Sequence, residues 1–387
     1  MEGEPANAAA LKQAGERLRR WLLEAALPLW LDAGQDAASG RYFEALDIHT
    51  GEPVRRPTRA RVPPRQVYSF LAGAELGGRD DWRRAAEVGL DRYLTDFTSE
   101  AGLMVAACDL DGTVVDAGID LYDQAFALFA LAEAATAFPE RKTEFSSRSG
   151  AMLSRLRSDL GHPLAGFEEA HPRRLPLRSN PHMHLFEAAL AWEELEPAGP
   201  WAALSDEIAG LALTCFIDRD GGYLREFFDG DFRPMADASG RIVEPGHQFE
   251  WAWLLTRWGV SRGNGKALSA ARRLFEIGGQ YGIDRRRGVA VMQLADDFSV
   301  RDPVARLWGQ TEWIKAALIL ARISAAQERE YYLASAVQAV AALERFFDED
   351  RPGLWRDKLT VEDRFIDEPA PASSLYHIVC AVLELCR

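Results

Sequence analysis

Four of the seven histidines, His182, His184, His247 and His377, stand among carboxylates, arginines and tryptophans in short polar stretches of an otherwise apolar chain. Imidazole titrates nearest neutrality of the common side chains, so a histidine held against a substrate can take or give a proton at working pH. The stretches are Pro64-Arg65-Gln66-Val67-Tyr68, Asp120-Leu121-Tyr122-Asp123, Arg178 to Glu187, Glu244 to Trp253, Arg306 to Trp313 and Ser373-Ser374-Leu375-Tyr376-His377. Helical spacing lets Asn180 share a face with His184, His247 with Glu250, and Trp308 with Glu312. Glu250, one turn from His247, is placed to orient that imidazole and raise its basicity. Tryptophan packs on the C–H faces of a sugar while Arg, Asn and Glu hydrogen-bond its hydroxyls, so this mixture suits a polyhydroxylated small molecule.

Each feature also has an ordinary explanation. A lone histidine on a helix is commonly a packing residue, and it is the coincidence of six stretches that points to a site. Trp251, Trp258 and Trp313 read as core aromatics. His182 and His184 are two apart and point to different sides of a helix, and no His-x-x-x-His or Asp-rich ligand set accompanies them, so no metal is expected. Asp218-Arg219-Asp220-Gly221-Gly222 lacks the spacing of a calcium loop and reads as a turn. Neither a phosphate-binding glycine loop nor a Ser-centred nucleophile elbow occurs.

Apolar periodicity predicts the elements that must position these residues: twelve helices near 8–31, 65–77, 80–97, 119–137, 140–159, 180–196, 200–215, 245–258, 263–281, 303–323, 327–349 and 372–386. Their connections alternate. Gly77 to Asp80, Phe138-Pro139, Pro197 to Pro200 and Gly259 to Gly265 are tight breaks that suggest helical hairpins. Arg41 to Asp47, Leu103 to Val115, Phe216 to Phe232, Gly288 to Val300 and Leu354 to Ile366 are long, carry β-like fragments and lead into even-numbered helices. Long structured loops on a rigid scaffold tend to rim a site. Six hairpins without a Pro/Ser-rich linker predict an all-α chain folded as one (α/α)6-barrel domain over 1–387. An open α-solenoid is the alternative, and no recurring sequence motif of the solenoid kind stands out. In a ring the six polar helix starts converge on one mouth, and their free N–H groups favour an anionic intermediate there.

The composition bounds the partners. With 387 residues, 45 Lys+Arg and 59 Asp+Glu, the formal charge of −14 opposes binding to nucleic acid or an anionic membrane. No apolar run approaches the roughly 18–20 residues that span a bilayer, and Met1 to Ala10 carries no basic, apolar leader, so a cytoplasmic protein, monomer or homodimer, is expected. Cys108, Cys215, Cys380 and Cys386 show no CxxC spacing and read as buried free thiols. The run Arg55 to Arg61 reads as a solvated loop rather than an anion site.

At RSNPHMHLFEA (178–188), EPGHQFEWAW (244–253), WGQTEW (308–313) and SSLYH (373–377) the sequence resembles the N-acylglucosamine 2-epimerase family, from about the second helix to the C-terminus. The resemblance implies an (α/α)6 barrel whose central pocket binds a sugar and interconverts it without cofactor or metal. It matches His247 and His377 to the family's acid/base histidines, and Arg65, Asn180, His184, Glu250, Trp253, Trp308 and Glu312 to pocket positions; Tyr122, at the start of the fourth helix, is a further expected substrate contact. Family members acting on disaccharides carry Trp-Lys-x-Pro-Tyr-His before the last histidine. Ala372 replaces that Trp, which resembles the mannose isomerase branch and argues against a second sugar ring. The implied reaction is aldose–ketose isomerisation through a cis-enediol(ate), with His377 shuttling the C1/C2 proton, His247 moving the hydroxyl proton and Arg65 holding the oxyanion; the two histidines can exchange roles. The alternatives are 2-epimerisation of a monosaccharide or N-acylhexosamine, and glycoside hydrolysis by Glu250 and Glu312.

Overall fold

A computed structural model describes residues 6–387; the first half of the Met1 to Ala10 stretch lies outside them. Twelve helices follow one another as six antiparallel pairs. Helix α1 (Ala6–Trp21) continues through a π turn, Leu22–Ala26, into Leu27–Asp32. Then come α2 (Val62–Gly77), α3 (Asp80–Phe97), α4 (Leu121–Ala137), α5 (Lys142–Leu160) and α6 (Ser179–Leu195). The second half holds α7 (Trp201–Leu211, extended by a π turn), α8 (Pro245–Arg262), α9 (Gly265–Tyr281), α10 (Leu307–Ile323), α11 (Ala326–Glu344) and α12 (Ser373–Cys386).

The even helices pack side by side, α2 on α4 and onward round to α12, which closes on α2. This ring is the inner wall of an (α/α)6 barrel, and the odd helices form the outer wall. Burial follows position. Outer α3 buries one stripe, with Trp82, Ala86, Leu90, Tyr93 and Phe97 at helical spacing, whereas inner α4 is buried on nearly every side from Leu121 to Ala135. Trp251 and Trp313 are fully buried as expected, and Trp258 nearly so. Among the described residues no helix is long and apolar enough to cross a membrane. The four cysteines are free; Cys108 and Cys380 are buried, but Cys386 on the last turn of α12 is exposed because its side of the helix faces solvent.

A repeat that the sequence reading missed organises the site end. Each outer helix runs into a tight hairpin built on a glycine with positive φ: Gly40 (77°), Gly102 (79°), Gly166 (65°), Gly222 (72°), Gly288 (70°) and Gly353 (101°). The backbone bridges Gln35 to Tyr42, Thr98 to Met104, Gly161 to Phe167, Ile217 to Leu224, Ile283 to Ala290 and Phe347 to Trp355. Only glycine adopts this left-handed conformation without a Cβ penalty. The motif is one glycine followed by apolar residues, too short to stand out from other glycines. The Asp218 to Gly222 turn is one copy of it.

Inner-helix side chains pin these hairpins. The Gln124 amide accepts from Met104 N–H and donates to Met104 C=O, both at 2.8 Å; Gln248 does the same to Leu224 and Gln310 to Ala290, while His182 Nε2 accepts from Phe167 N–H at 3.1 Å. The chain then crosses onto the neighbouring inner helix. The N–H groups of Ala60, Leu121, Ser179, Leu307 and Ala372 donate to the carbonyls of Ala106, Glu169, Glu226, Asp357 and Glu44. Five of the six loops thus satisfy a free N–H at or beside the adjacent helix start. The Glu44–Ala372 bond joins the first loop to the last helix.

Candidate active site

The six inner-helix starts enclose a polar cleft. Its lining includes Arg65, Tyr122, Asn180, His184, His247, Glu250, Trp308 and His377 among the residues singled out in the sequence, together with Arg178, Glu226, Glu244, Met292, Arg306 and Ser374. Asn180 and His184 do share the cleft face of α6. His182 faces away and serves the Phe167 hairpin, as two-residue spacing on a helix requires.

His247 and His377 flank the indole of Trp308, with ring centroids 5.0 Å and 6.1 Å from it. Gly246 makes room for that indole: a Cβ at this position would lie 2.3 Å from Trp308 Cζ3. His184 packs edge-on to Tyr122 and against Phe126, while the Arg65 guanidinium lies 4.0 Å above the Phe126 ring and donates to the Tyr122 hydroxyl at 2.5 Å. Arg65 is 5% exposed. Unlike the other arginines of the cleft, it has no carboxylate partner among the described residues: Arg178 pairs with Glu169, and Arg306 with Asp357 at 2.8 Å.

The two flanking histidines have opposite electrostatic surroundings. The Nδ1 of His247 lies 2.8 Å from Glu226 Oε2 and 3.4 Å from Glu244 Oε2. Burial opposes a charged imidazole, but these carboxylates outweigh it and push His247 up to about 10. His377 is equally enclosed, and its Nδ1 donates to Glu312 Oε1 at 2.9 Å, yet burial prevails and pushes it down to about 4. Burial also takes His184 to about 3 and raises the Glu244 carboxyl to about 7. Glu250, buried and close to Glu312, is held well above the usual carboxylate range. One imidazolium, one neutral imidazole and an unpaired guanidinium can together donate a proton, remove one and hold an oxyanion.

Three sequence expectations are corrected. Glu250 does not orient His247; it approaches His184 Nδ1 at 3.9 Å, and Glu226 from the preceding loop takes the expected place. Trp253 lies outside the cleft. It is six residues below His247 on α8, about 9 Å deeper at 1.5 Å per residue, where its Nε1 donates to Glu384 and its ring covers Lys315 and Arg257. Glu312 is fully buried behind His377 and ion-paired to Lys315 at 2.7 Å, so it does not oppose Glu250 across the cleft as a hydrolytic pair would. In the basic run, Arg59 and Arg61 are occupied by Glu44 and Asp123 rather than free for an anion.

Glu226 was missed because it belongs to a loop, but it carries a signal. It follows Gly222 by four residues, as Glu44 follows Gly40 and Asp357 follows Gly353, and all three occupy equivalent places around the mouth. The fold also assembles donor groups that spacing could not show: Glu226, Glu244 and His247; Glu250, Glu312 and His377; and His184, Glu187 and Glu250, each with ligand atoms within 4.8 Å of one another. These are the residues that could hold a metal ion. In the first group, an ion would displace the Nδ1 proton through which Glu226 holds His247.

The family model of N-acylglucosamine 2-epimerase (GlcNAc 2-epimerase) matches residues 41–381. The chain is 54% identical over 375 residues to a mannose-6-phosphate isomerase of Rhizobium meliloti (strain 1021), covering 96% of each chain. Among solved structures, D-mannose isomerase superposes with a TM-score of 0.86 at 19% identity, covering 99% of each chain. Cellobiose 2-epimerase from Spirochaeta thermophila superposes with a TM-score of 0.86 at 22% identity, covering 99% of this chain and 98% of that one. These two structures carry the fold; the family model and the close relative carry the kinship. The chain belongs to the N-acylglucosamine 2-epimerase family and is an enzyme of its sugar isomerase/epimerase kind.

Proposed function

We propose that the protein is an aldose–ketose isomerase, one catalytic domain acting on a free monosaccharide, D-mannose to D-fructose, without cofactor or metal. The observation that carries this reading is the placement of His247 and His377 on either side of Trp308 in one cleft, the first with Glu226 and Glu244 at its Nδ1 and the second with Glu312, itself ion-paired to Lys315. In the open-chain aldose the C1 carbonyl acidifies the proton on C2. Neutral His377 removes it, Arg65 holds the oxygen on which charge accumulates, and His247 supplies a proton to that oxygen. The resulting enediol is reprotonated at C1 by His377 while its O2 hydroxyl returns a proton to His247, which gives the ketose and restores both histidines to their starting states. Tyr122, Asn180, His184 and Glu250 hold hydroxyls, and Trp308 backs the sugar. A 2-epimerase would use the same two histidines but return the proton to C2 from the opposite face. The isomerase outcome is supported by the name of the 54%-identical relative and by Ala372.

That relative's name also raises a phosphorylated sugar. The charge balance of the cleft favours the free sugar: Arg178 and Arg306 are already paired, and Glu226 and Glu244 sit among the lining residues, so a dianion gains no unpaired cation except Arg65. Steady-state assays of EDTA-treated protein are expected to give kcat/KM at least about tenfold higher for D-mannose than for D-mannose 6-phosphate, a difference of about 1.4 kcal/mol. A preference for the phosphate, or loss of turnover with EDTA, would overturn the corresponding part of the reading.

A further inference from the structure

Behind His377, on the side away from the cleft, α10 carries two charged side chains that are both 0% exposed. Lys315 Nζ is 2.7 Å from Glu312 Oε2, and the other oxygen of Glu312 accepts from His377 Nδ1. The indole of Trp253 covers the ammonium, with Nζ 4.1 Å from its ring centre. Trp253 is itself tethered to Glu384, which pairs with Arg322. An ion pair buried this completely costs desolvation energy that a pair of apolar side chains would avoid. Its place, directly in line with a histidine of the cleft, suggests what that cost supports.

We propose that Lys315 is a positioning residue: its ammonium neutralises Glu312, so that Glu312 orients the His377 imidazole through Nδ1 without drawing a proton onto it, leaving Nε2 free as the base. The proposal rests on the role given to His377 above. The molecule contains its own comparison. His247 also has carboxylates at Nδ1, but neither Glu226 nor Glu244 is ion-paired to a lysine or arginine, and there the imidazole is held charged. At His377 the carboxylate is paired, Arg65 lies on the other side, and the imidazole is held neutral. The groups facing Lys315 are Glu312 on its own helix, Glu250 from α8, Glu187 from α6, and His377 and Cys380 from α12. Removing the ammonium leaves this set one charge more negative. The Glu312–His377 pair must then bind a proton at higher pH, whichever of its atoms carries it.

The test is the pH profile of kcat/KM for Lys315→Met and Lys315→Arg. In Lys315→Met the acid limb is expected to move up by about one pH unit or more, and Lys315→Arg is expected to bring it back toward wild type. A role confined to packing would lower kcat or Tm without moving the limb, and that result overturns the proposal. A second readout needs neither turnover nor a folded variant. The ¹⁵N NMR signals of His377 in the wild-type protein are expected to show a neutral ring carrying its proton on Nδ1 from pH 5.5 to 8; an imidazolium at pH 6 would overturn the proposal. If the ring is neutral but D-mannose is not converted, the proposed reaction has failed and the charge arrangement stands.

Discussion

His377→Asn is expected to reduce turnover of D-mannose by about 10³-fold or more, the scale of losing a positioned base together with its proton return, while far-UV circular dichroism and Tm stay close to wild type. Asparagine is smaller than histidine and can still donate an amide N–H toward Glu312, so the buried carboxylate keeps a partner. What it cannot do is take a proton at neutral pH. His377 lies 6.1 Å from the Trp308 ring, between a buried carboxylate and the cleft, with no other neutral imidazole at that wall. His184, the remaining histidine of the cleft, is on α6 beside Tyr122 and cannot substitute without moving a helix. Turnover within tenfold of wild type would remove His377 from the mechanism.

Glu226→Gln is expected to act through protonation rather than shape. Glutamine keeps the length of the side chain and can still serve Ser179, whose hydroxyl lies 3.2 Å from Oε2, but it removes the negative charge 2.8 Å from His247 Nδ1. The sign follows from the direction of the shift. His247 is raised to about 10, so it is charged across the neutral range and loses its proton only as pH rises through that value. Without Glu226, burial acts against the imidazolium with only Glu244 and Glu250 left to counter it, and the basic limb of the pH profile must move down by about one unit or more. The loss is therefore small near pH 6 and grows with pH, to about twofold at pH 9 for a one-unit shift and about tenfold for a two-unit shift. An unchanged basic limb would mean that another group sets it.

The ring of helices was legible from the sequence because inner and outer helices differ in pattern: α4 is apolar all round and α3 has one apolar stripe, and the tight and long connections alternate. The cleft residues at helix starts were legible for the same reason, since Arg65, Asn180, His184, His247 and Trp308 interrupt helices that packing alone would keep apolar. Depth was not legible. Helical spacing places Trp253 and Glu312 on the correct faces, but it does not say how far down the barrel a cleft extends, and both lie below its floor. Cross-loop partners were not legible either. Glu226 reaches His247 because its loop crosses onto the start of α6, a geometry set by the Gly222 hairpin and the Ser179–Glu226 backbone bond rather than by neighbouring residues. The strands near the mouth were read as fragments; one pair, 283–284 with 289–290, forms the arms of a glycine hairpin, and most of the others join a loop to a segment distant in sequence, as 177–178 pairs with 227–228 and 305–306 with 358–359.

The most direct test of proton transfer through an enediol is to incubate EDTA-treated protein with D-mannose in D₂O and follow both products and label by proton NMR. The account predicts D-fructose carrying deuterium at C1, with little D-glucose. D-glucose labelled at C2 as the main product would contradict the isomerase assignment, and fructose without solvent deuterium would contradict a solvent-exchangeable histidine proton as the one delivered to C1.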